Sequence, residues 1–399
     1  MEKVKHVSLS EGFTKLQLIS LDACTRCYEC LNWCPVYDVT EDESMTTPEK
    51  IRVFGDMVHA ESGLKAKLLG PPHIDPEALE KLSVALYTCT TCGVCGEVCP
   101  VGIHTQELWP AMRAKMVELG IGPIGGQKQA KQIVAEKHNP YDRPHEERFD
   151  WVPDDVTVAE RAEVGYYAGC SGSYTAQPMM IGALRMMQAA GIEFTLFPDE
   201  WCCSFPLFVI GELSAAREMV RHNVQGYIER GVKKLVVSCP CCTFMTQKHW
   251  SKLLEEELPF EIVHITEVLG EKFDEGAVQL SKPLPRRITF HDACYLARGV
   301  RILDEPREVI GQFEGVDFVE MERNREFSKC CGSGGGIRRA YPELSIDMSI
   351  NMIKDAEAVG ADTLVLDCPA CYERLHLANE TYQSNIRIVD LMQLAAELL

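Results

Sequence analysis

Cysteine dominates the chemistry open to this chain. Of its 399 residues 19 are cysteines, and 18 of these fall into four groups. Two groups are tight runs of the form C-x2-C-x2-C-x3-C-P: Cys24, Cys27, Cys30 and Cys34 with Pro35, and Cys89, Cys92, Cys95 and Cys99 with Pro100. Thiolates are soft ligands, and three loop cysteines at this interval can wrap one iron–sulfur cubane. In two-cluster ferredoxins the fourth cysteine of each run serves the other cluster. That rule predicts one [4Fe–4S] cubane on Cys24, Cys27, Cys30 and Cys99, and a second on Cys89, Cys92, Cys95 and Cys34. Structural zinc also uses C-x2-C, but the third cysteine and the closing C-P favour the cubane. A disulfide framework is opposed by the odd count, the chain length and the lack of an export signal.

The other two groups are long and share one plan: a lone cysteine, an adjacent pair, then C-P-x-C. They are Cys170, Cys202, Cys203, Cys239 and Cys242, then Cys294, Cys330, Cys331, Cys368 and Cys371. Between the lone cysteine and the pair lie 31 residues in the first and 35 in the second; between the pair and C-P-x-C lie 35 and 36. Only Cys241 stands outside the plan. A repeated plan is the mark of internal duplication. Adjacent cysteines do not easily form separate corners of a cubane, but each could bridge irons in a more open cluster.

The elements that must hold these groups differ along the chain. LQLISLDA precedes the first run and ALEKLSVALYT the second, both apolar at helical spacing. The 53 residues between Pro35 and Cys89 include the periodic stretch PEKIRVFGDMVHAESGLKAKLLG, and LWPAMRAKMVELG follows the second run. Residues 1–135 thus read as a mostly α-helical, ferredoxin-like module. Residues 136–160, proline-rich and charged, read as a polar linker. Beyond them, β-branched runs alternate with helical stretches, twice over: residues 161–285 and 286–399. Such alternation argues for parallel sheets covered by helices, whose ligands gather beyond the carboxyl ends of the strands. The cysteines sit there, after VGYYAG, KLVVS, ITFHDA and TLVLD. The fold class expected is therefore α+β and multidomain, a helical two-cluster module followed by two duplicated α/β domains.

Composition narrows the partners. Lys and Arg number 40 against 59 Asp and Glu, a net charge of −19. Nucleic acid and anionic membrane surfaces are poor partners for such an excess of acid. The polar start has no signal-peptide core, and no apolar stretch is long enough to span a bilayer. The expectation is a cytoplasmic protein, held at the inner membrane only through partner subunits.

The plan C-x31–35-CC-x35–36-C-P-x-C resembles the CCG domain of heterodisulfide reductases. A ferredoxin-like module followed by two such domains resembles the D-type family among the subunits of those enzymes, over about residues 15 to 395. Related family members are the K component of the sulfite reductase-linked membrane complex, the F component of the high-molecular-weight cytochrome complex and the B component of the type II cytochrome c3 complex. The resemblance implies five thiolates to each noncubane [4Fe–4S] cluster. One such cluster would lie on Cys294, Cys330, Cys331, Cys368 and Cys371, as the catalytic site. A second would lie on Cys170, Cys202, Cys203, Cys239 and Cys242. The first copy departs from the pattern: Ser204 replaces the glycine after the pair and Cys241 offers a rival ligand, so zinc or an empty site stays open there. The implied cofactors are two cubanes and one or two noncubane clusters, without flavin or haem in this chain. The implied partners are a membrane cytochrome or quinone-interacting subunit, other redox subunits, and a disulfide or thiol that is a small molecule or a small thiol protein.

Further residues frame the second copy. In KCCGSGGG, Gly332, Gly334, Gly335 and Gly336 let backbone approach a cluster or substrate closely. No Lys-Ser/Thr follows, so this is not a phosphate loop. Disulfide reduction releases thiolates that need protons, and His291, three residues before Cys294, is the candidate acid beside its reading as a structural strand-end histidine. Arg338 and Arg339 could meet an anionic substrate or an acidic tail, or simply be solvated. There is no C-x-x-C-H for haem, no H-E-x-x-H and no Rossmann fingerprint. Competing readings are an electron conduit without a substrate, the iron–sulfur subunit of a flavin-dependent glycolate, lactate or glycerol 3-phosphate dehydrogenase, and a zinc-stabilised scaffold.

Overall fold

The computed structural model describes residues 8–62, 66, 68 and 75–399. Residues 1–7 of the polar start, and parts of the periodic stretch at 48–70, lie outside the described residues.

The N-terminal part is helical, as its apolar spacing requires. Lys15–Ala23 begins at a capping box: the Thr14 hydroxyl accepts from the Gln17 N–H and the Gln17 side chain accepts from the Thr14 N–H. Pro76–Tyr87 begins with Asp75 as cap and Pro76 in the first turn, where a missing N–H costs nothing. With Thr47–Ser62 and Thr105–Glu118 these helices bury Phe54, Leu86, Trp109 and Met112 in one core.

Two sheets follow. β1 (Val164–Tyr167), β2 (Phe194–Thr195), β3 (Lys234–Val237) and β4 (Glu261–His264) pair in parallel in the order β2-β1-β3-β4. β5 (Arg287–Phe290), β6 (Asp317–Phe318), β7 (Thr363–Leu366) and β8 (Arg387–Asp390) repeat it as β6-β5-β7-β8. The fold class expected from the alternation of elements is the one observed. The two central strands of each sheet are almost wholly buried, as strands covered on both faces must be. In each sheet the order reverses between its two central strands, which opens a crevice beyond their carboxyl ends. Cys170 and Cys239 follow β1 and β3; Cys294 and Cys368 follow β5 and β7.

The C-P pairs have a local purpose. Cys34, Cys239 and Cys368 each take the cap position of a helix whose first residue is the proline. The two copies pack against each other through Gln177–Ala189 and Leu391–Glu397. A Cβ at Gly182 would lie 2.6 Å from Gln393 Cα, so only glycine allows this approach. Between module and first sheet, residues 136–160 are mostly irregular apart from a short turn at His145–Phe149, and they bury Asn139, Arg148 and Trp151.

Candidate functional site

The two tight runs adopt the same loop. Arg26 and Thr91, two residues after the first cysteine of each run, both have φ 55°. Tyr28 and Gly93, one residue after the second cysteine, have φ 61° and 81°. These left-handed turns curl each loop around a common centre. The electrostatic neighbours of the thiols cross between the runs: Cys24 feels Cys99 and Cys27, and Cys34 feels Cys89 and Cys95. Burial, reinforced by Cys95 and Cys34, pushes the Cys30 thiol up to about 12. Burial likewise pushes Cys34 up to about 12, against the pull of the Lys50 ammonium. Cys27 is exposed, so the outer loop meets solvent, whereas Cys92 and Cys95 are buried.

The thiols of the second copy are all buried. Cys331 and Cys371 Sγ lie 2.9 Å apart, and the Gly332 N–H donates to Cys330 Sγ at 3.4 Å. A ring nitrogen of His291 lies within 4.8 Å of both Cys331 and Cys371 Sγ. Contacts with Cys330 and Cys371 hold the Cys331 thiol well below its ordinary value, against burial. The helical module closes over this group. The Cys92 thiol reaches Cys330. Tyr295 Oη donates to Thr91 Oγ1 at 2.8 Å and Arg298 Nε donates to Cys92 O at 2.8 Å. The glycine loop lies on the second run: a Cβ at Gly334 would stand 2.6 Å from Thr90 O, and one at Gly335 2.3 Å from Cys89 O. Close approach is indeed what these glycines permit, and the neighbour they approach is the backbone of the second run.

The first copy repeats the arrangement with a different neighbour. Cys242 donates to Cys203 Sγ at 3.3 Å. Burial opposes ionisation of Cys203, but hydrogen bonds from Cys202 and Cys242 outweigh it and bring the thiol down to about 6. Cys203 and Cys331 thus correspond in place and in character. Ser204 has φ 74°, the conformation Gly332 takes at φ 80°, and its hydroxyl donates to Ala216 O at 3.3 Å. The missing glycine has therefore not changed the backbone. Cys241 contacts Cys239 of its own copy and Cys368 of the other, so it stands at the junction of the two thiol groups. Two features here escaped the sequence reading. Arg148, fully buried and paired with Glu200, directs both terminal nitrogens at Cys170 Sγ, at 3.7 and 3.8 Å. Tyr167, at the position of His291, stands against Cys203 as His291 stands against Cys331.

A cleft of about 110 Å³ opens between the copies. Cys170, Cys202, Cys203, Cys239, Cys241 and Cys242 form one wall; Ser333, Gly334, Gly335, Gly336, Arg338 and Arg339 form the other. None of the five second-copy thiols lines it. Sequence reasoning set chemistry on the second copy; the thiols that line the cleft are those of the first, and both five-cysteine sets are buried. His291 faces thiols of its own copy, away from the cleft. Arg338 is tied to Glu373 and Tyr141, and Arg339 to the Pro140 carbonyl. Gln127 and Ser333, both at the cleft, have buried side-chain polar atoms without a partner in the protein.

All 19 cysteines are free thiols. Converging groups of four or five, with charged and backbone donors aimed at sulfur, are a donor set that suits iron–sulfur clusters. Among the described residues no helix is long and apolar enough to cross a membrane.

Comparison with known proteins agrees with this chemistry. The cysteine-rich CCG domain family matches residues 164–247 and again 288–376, and a 4Fe-4S dicluster domain family matches residues 20–103. The D-type component of the dihydromethanophenazine:CoB–CoM heterodisulfide reductase of Methanosarcina barkeri is 38% identical over 98% of this chain and 97% of its own length. The B-type component of the fumarate reductase (CoM/CoB) of Methanothermobacter marburgensis is 25% identical over 94% of this chain and 71% of its own. A hypothetical protein of Helicobacter pylori shares the fold at a TM-score of 0.56 and 11% identity, covering 95% of this chain and 76% of that one.

Proposed function

This chain belongs to the D-type family of heterodisulfide reductase iron–sulfur proteins, and from that premise we propose that it is the substrate-handling subunit of a disulfide-reducing, or disulfide-forming, complex. The cleft carries this reading. It joins a wall of buried thiols to a wall rich in backbone and polar donors, which suits a small disulfide better than a bare electron conduit. The relative's name specifies a mixed disulfide of two small thiols; we take that chemical class for the substrate here.

Cys24, Cys27, Cys30 and Cys99 would hold one cubane, and Cys89, Cys92, Cys95 and Cys34 another. The five-cysteine sets of both copies would hold noncubane clusters, the first facing the cleft and the second supported by His291 at Cys331. When bound, such clusters supply one-electron relay and, at an open iron, a place for sulfur. The chain's own residues do the rest. Thiol neighbours run in one order: outer run, inner run, second copy, first copy, cleft, with Cys30 electrostatically near Cys95 and contacts at Cys92–Cys330 and Cys368–Cys239. Gly334, Gly335 and Gly336 bring main chain to the cleft, and Gln127 and Ser333 offer polar contacts to the bound molecule. Burial excludes water from the ten thiols of the two five-cysteine sets, which limits loss of electrons to solvent oxidants there.

Electrons would be exchanged with a membrane cytochrome or quinone-interacting subunit on the cytoplasmic side of the inner membrane, with this chain peripheral. The test is EPR of anaerobically purified, oxidised protein with and without small thiols, alongside iron and sulfide counts. The reading expects four clusters per chain and a paramagnetic signal that responds to thiol. Stoichiometric zinc with little iron, or no response to any thiol tested, would refute it.

A further inference from the structure

Three buried cations surround the inner run, and none has an ion-pair partner among the described residues. Arg113 is fully buried. Its guanidinium donates only to carbonyls: Leu86 O, Val209 O, Gly335 O at 2.8 Å and Cys89 O at 2.7 Å. Arg298 donates to Cys92 O at 2.8 Å and to the Ser328 and Glu326 carbonyls, again without a carboxylate. Lys50 lies buried with its ammonium 4.7 Å from the centre of the Trp109 ring, and it acts on the Cys34 thiol. The cations thus stand against three of the four cysteines of the inner set. By contrast, buried Arg148 is neutralised by Glu200, and the largely covered Arg307 by Asp292 and Glu320.

The outer run lacks this surround. Cys27 is exposed and so is Arg26, the cation nearest Cys24. The Tyr28 hydroxyl beside it donates to a carboxylate, that of Glu49, at 3.2 Å. Water screens a charge such as Arg26, whereas a charge inside the protein acts at several times that strength.

An unpaired buried cation is costly unless a countercharge is near. Reduction adds one negative charge to a cluster, and neighbouring positive charge favours that state. We infer that Lys50, Arg113 and Arg298 set the inner site, on Cys89, Cys92, Cys95 and Cys34, at a higher reduction potential than the outer site, on Cys24, Cys27, Cys30 and Cys99. The inference rests on the cluster assignment proposed above. One electron given to the outer site is then drawn inward: the outer site is reoxidised as the inner one is reduced, next to Cys330 of the second copy. The asymmetry gives the module a direction, toward the cleft.

Lys50→Met is the cleanest test, because the Lys50 ammonium makes no hydrogen bond among the described residues and the methionine keeps the packing over Trp109. In an EPR-monitored redox titration of the whole protein, the higher of the two cubane potentials falls. At fixed potential its oxidised-to-reduced ratio rises about tenfold, equivalent to about 59 mV for one electron. The lower potential stays where it was, Lys50→Arg restores the wild-type value, and Arg298→Gln shifts the same signal. Two cubane signals that both stay fixed, or a shift of the lower one, would overturn the inference while leaving the cluster assignment intact. A wild-type module that assembles fewer than two cubanes, by iron count, would overturn both.

Discussion

The two cysteine-rich copies share a strand order, a ligand spacing and a proline-capped helix after the last sheet cysteine, yet they face different neighbours. The second copy is covered by the helical module, which meets it through Cys92 at Cys330 and Arg298 and through Thr91 at Tyr295. The first copy turns its thiols to the cleft. Duplication thus supplied two similar thiol sites, and on the proposed function their different neighbours give them different tasks: one next to the electron supply, one next to the substrate. Their small differences are local: Gly334 and Gly335 of the second copy meet the backbone of the second run, whereas Gly332, the counterpart of Ser204, meets Ser345 O of its own copy.

The largest effect should come from the pair of equivalent thiols. Cys203→Ala should lower disulfide turnover by about two orders of magnitude or more, through loss of the thiol-responsive site. Cys331→Ala should lower turnover as much, but by blocking electron delivery: the oxidised protein should still respond to thiol. Steady-state assays paired with EPR separate the two. Equal loss of the thiol response in both variants would erase the distinction between the copies.

Next comes docking of the module. Gly335→Ala adds a Cβ 2.3 Å from Cys89 O at a residue with φ 62°. It should cost about 2–3 kcal/mol in chemical denaturation and loosen the module from the second copy. An unchanged midpoint would mean that the module does not hold the second copy through this loop.

The copies should also answer pH in opposite senses. β4 and β8 end at equivalent helix caps, His264 and Asp390. Burial holds His264 down at about 4 and pushes Asp390 up to about 7. A depressed histidine gives stability that is present above the unfolded value of about 6.5 and is lost as pH falls toward 4. A raised carboxyl gives stability that is present below about 4 and is lost as pH rises through 7. Each is worth about 3–4 kcal/mol at the far end of its window. Hydrogen exchange from pH 7.5 to 5 should show β4 losing protection and β8 gaining it, with His264→Asn and Asp390→Asn flattening the respective trends. Parallel trends in both strands would contradict the assignment.

The smallest effect tests the backbone equivalence. Ser204→Gly relieves a left-handed serine but removes its bond to Ala216 O, so stability should change by less than about 1 kcal/mol. Gly332→Ser meets Ser345 O at 2.6 Å and should cost clearly more in the same thermal melt. Equal costs would show that the two turns are not equivalent.

Much of this was legible in the cysteines. Their spacing gave away the duplication, and β-branched runs such as KLVVS and TLVLD located the central strands because buried parallel strands leave a continuous apolar trace. The cleft was not legible. Its position depends on how the module docks, through contacts such as Cys92 to Cys330 between residues far apart in sequence, and no local pattern encodes that. Gly334 and Gly335 stood out as close-approach positions, but not what they approach. Arg148 and Arg113 left no trace, since a buried arginine and a solvated one look alike in sequence.

The central claim is that substrate meets the first copy and not the second. It is tested most directly by adding a selenol enriched in a magnetic selenium isotope to oxidised wild-type, Cys203→Ala and Cys331→Ala proteins and measuring hyperfine coupling by EPR. The account expects selenium coupling in the wild type and in Cys331→Ala, and none in Cys203→Ala. Coupling that survives in Cys203→Ala and vanishes in Cys331→Ala would contradict it.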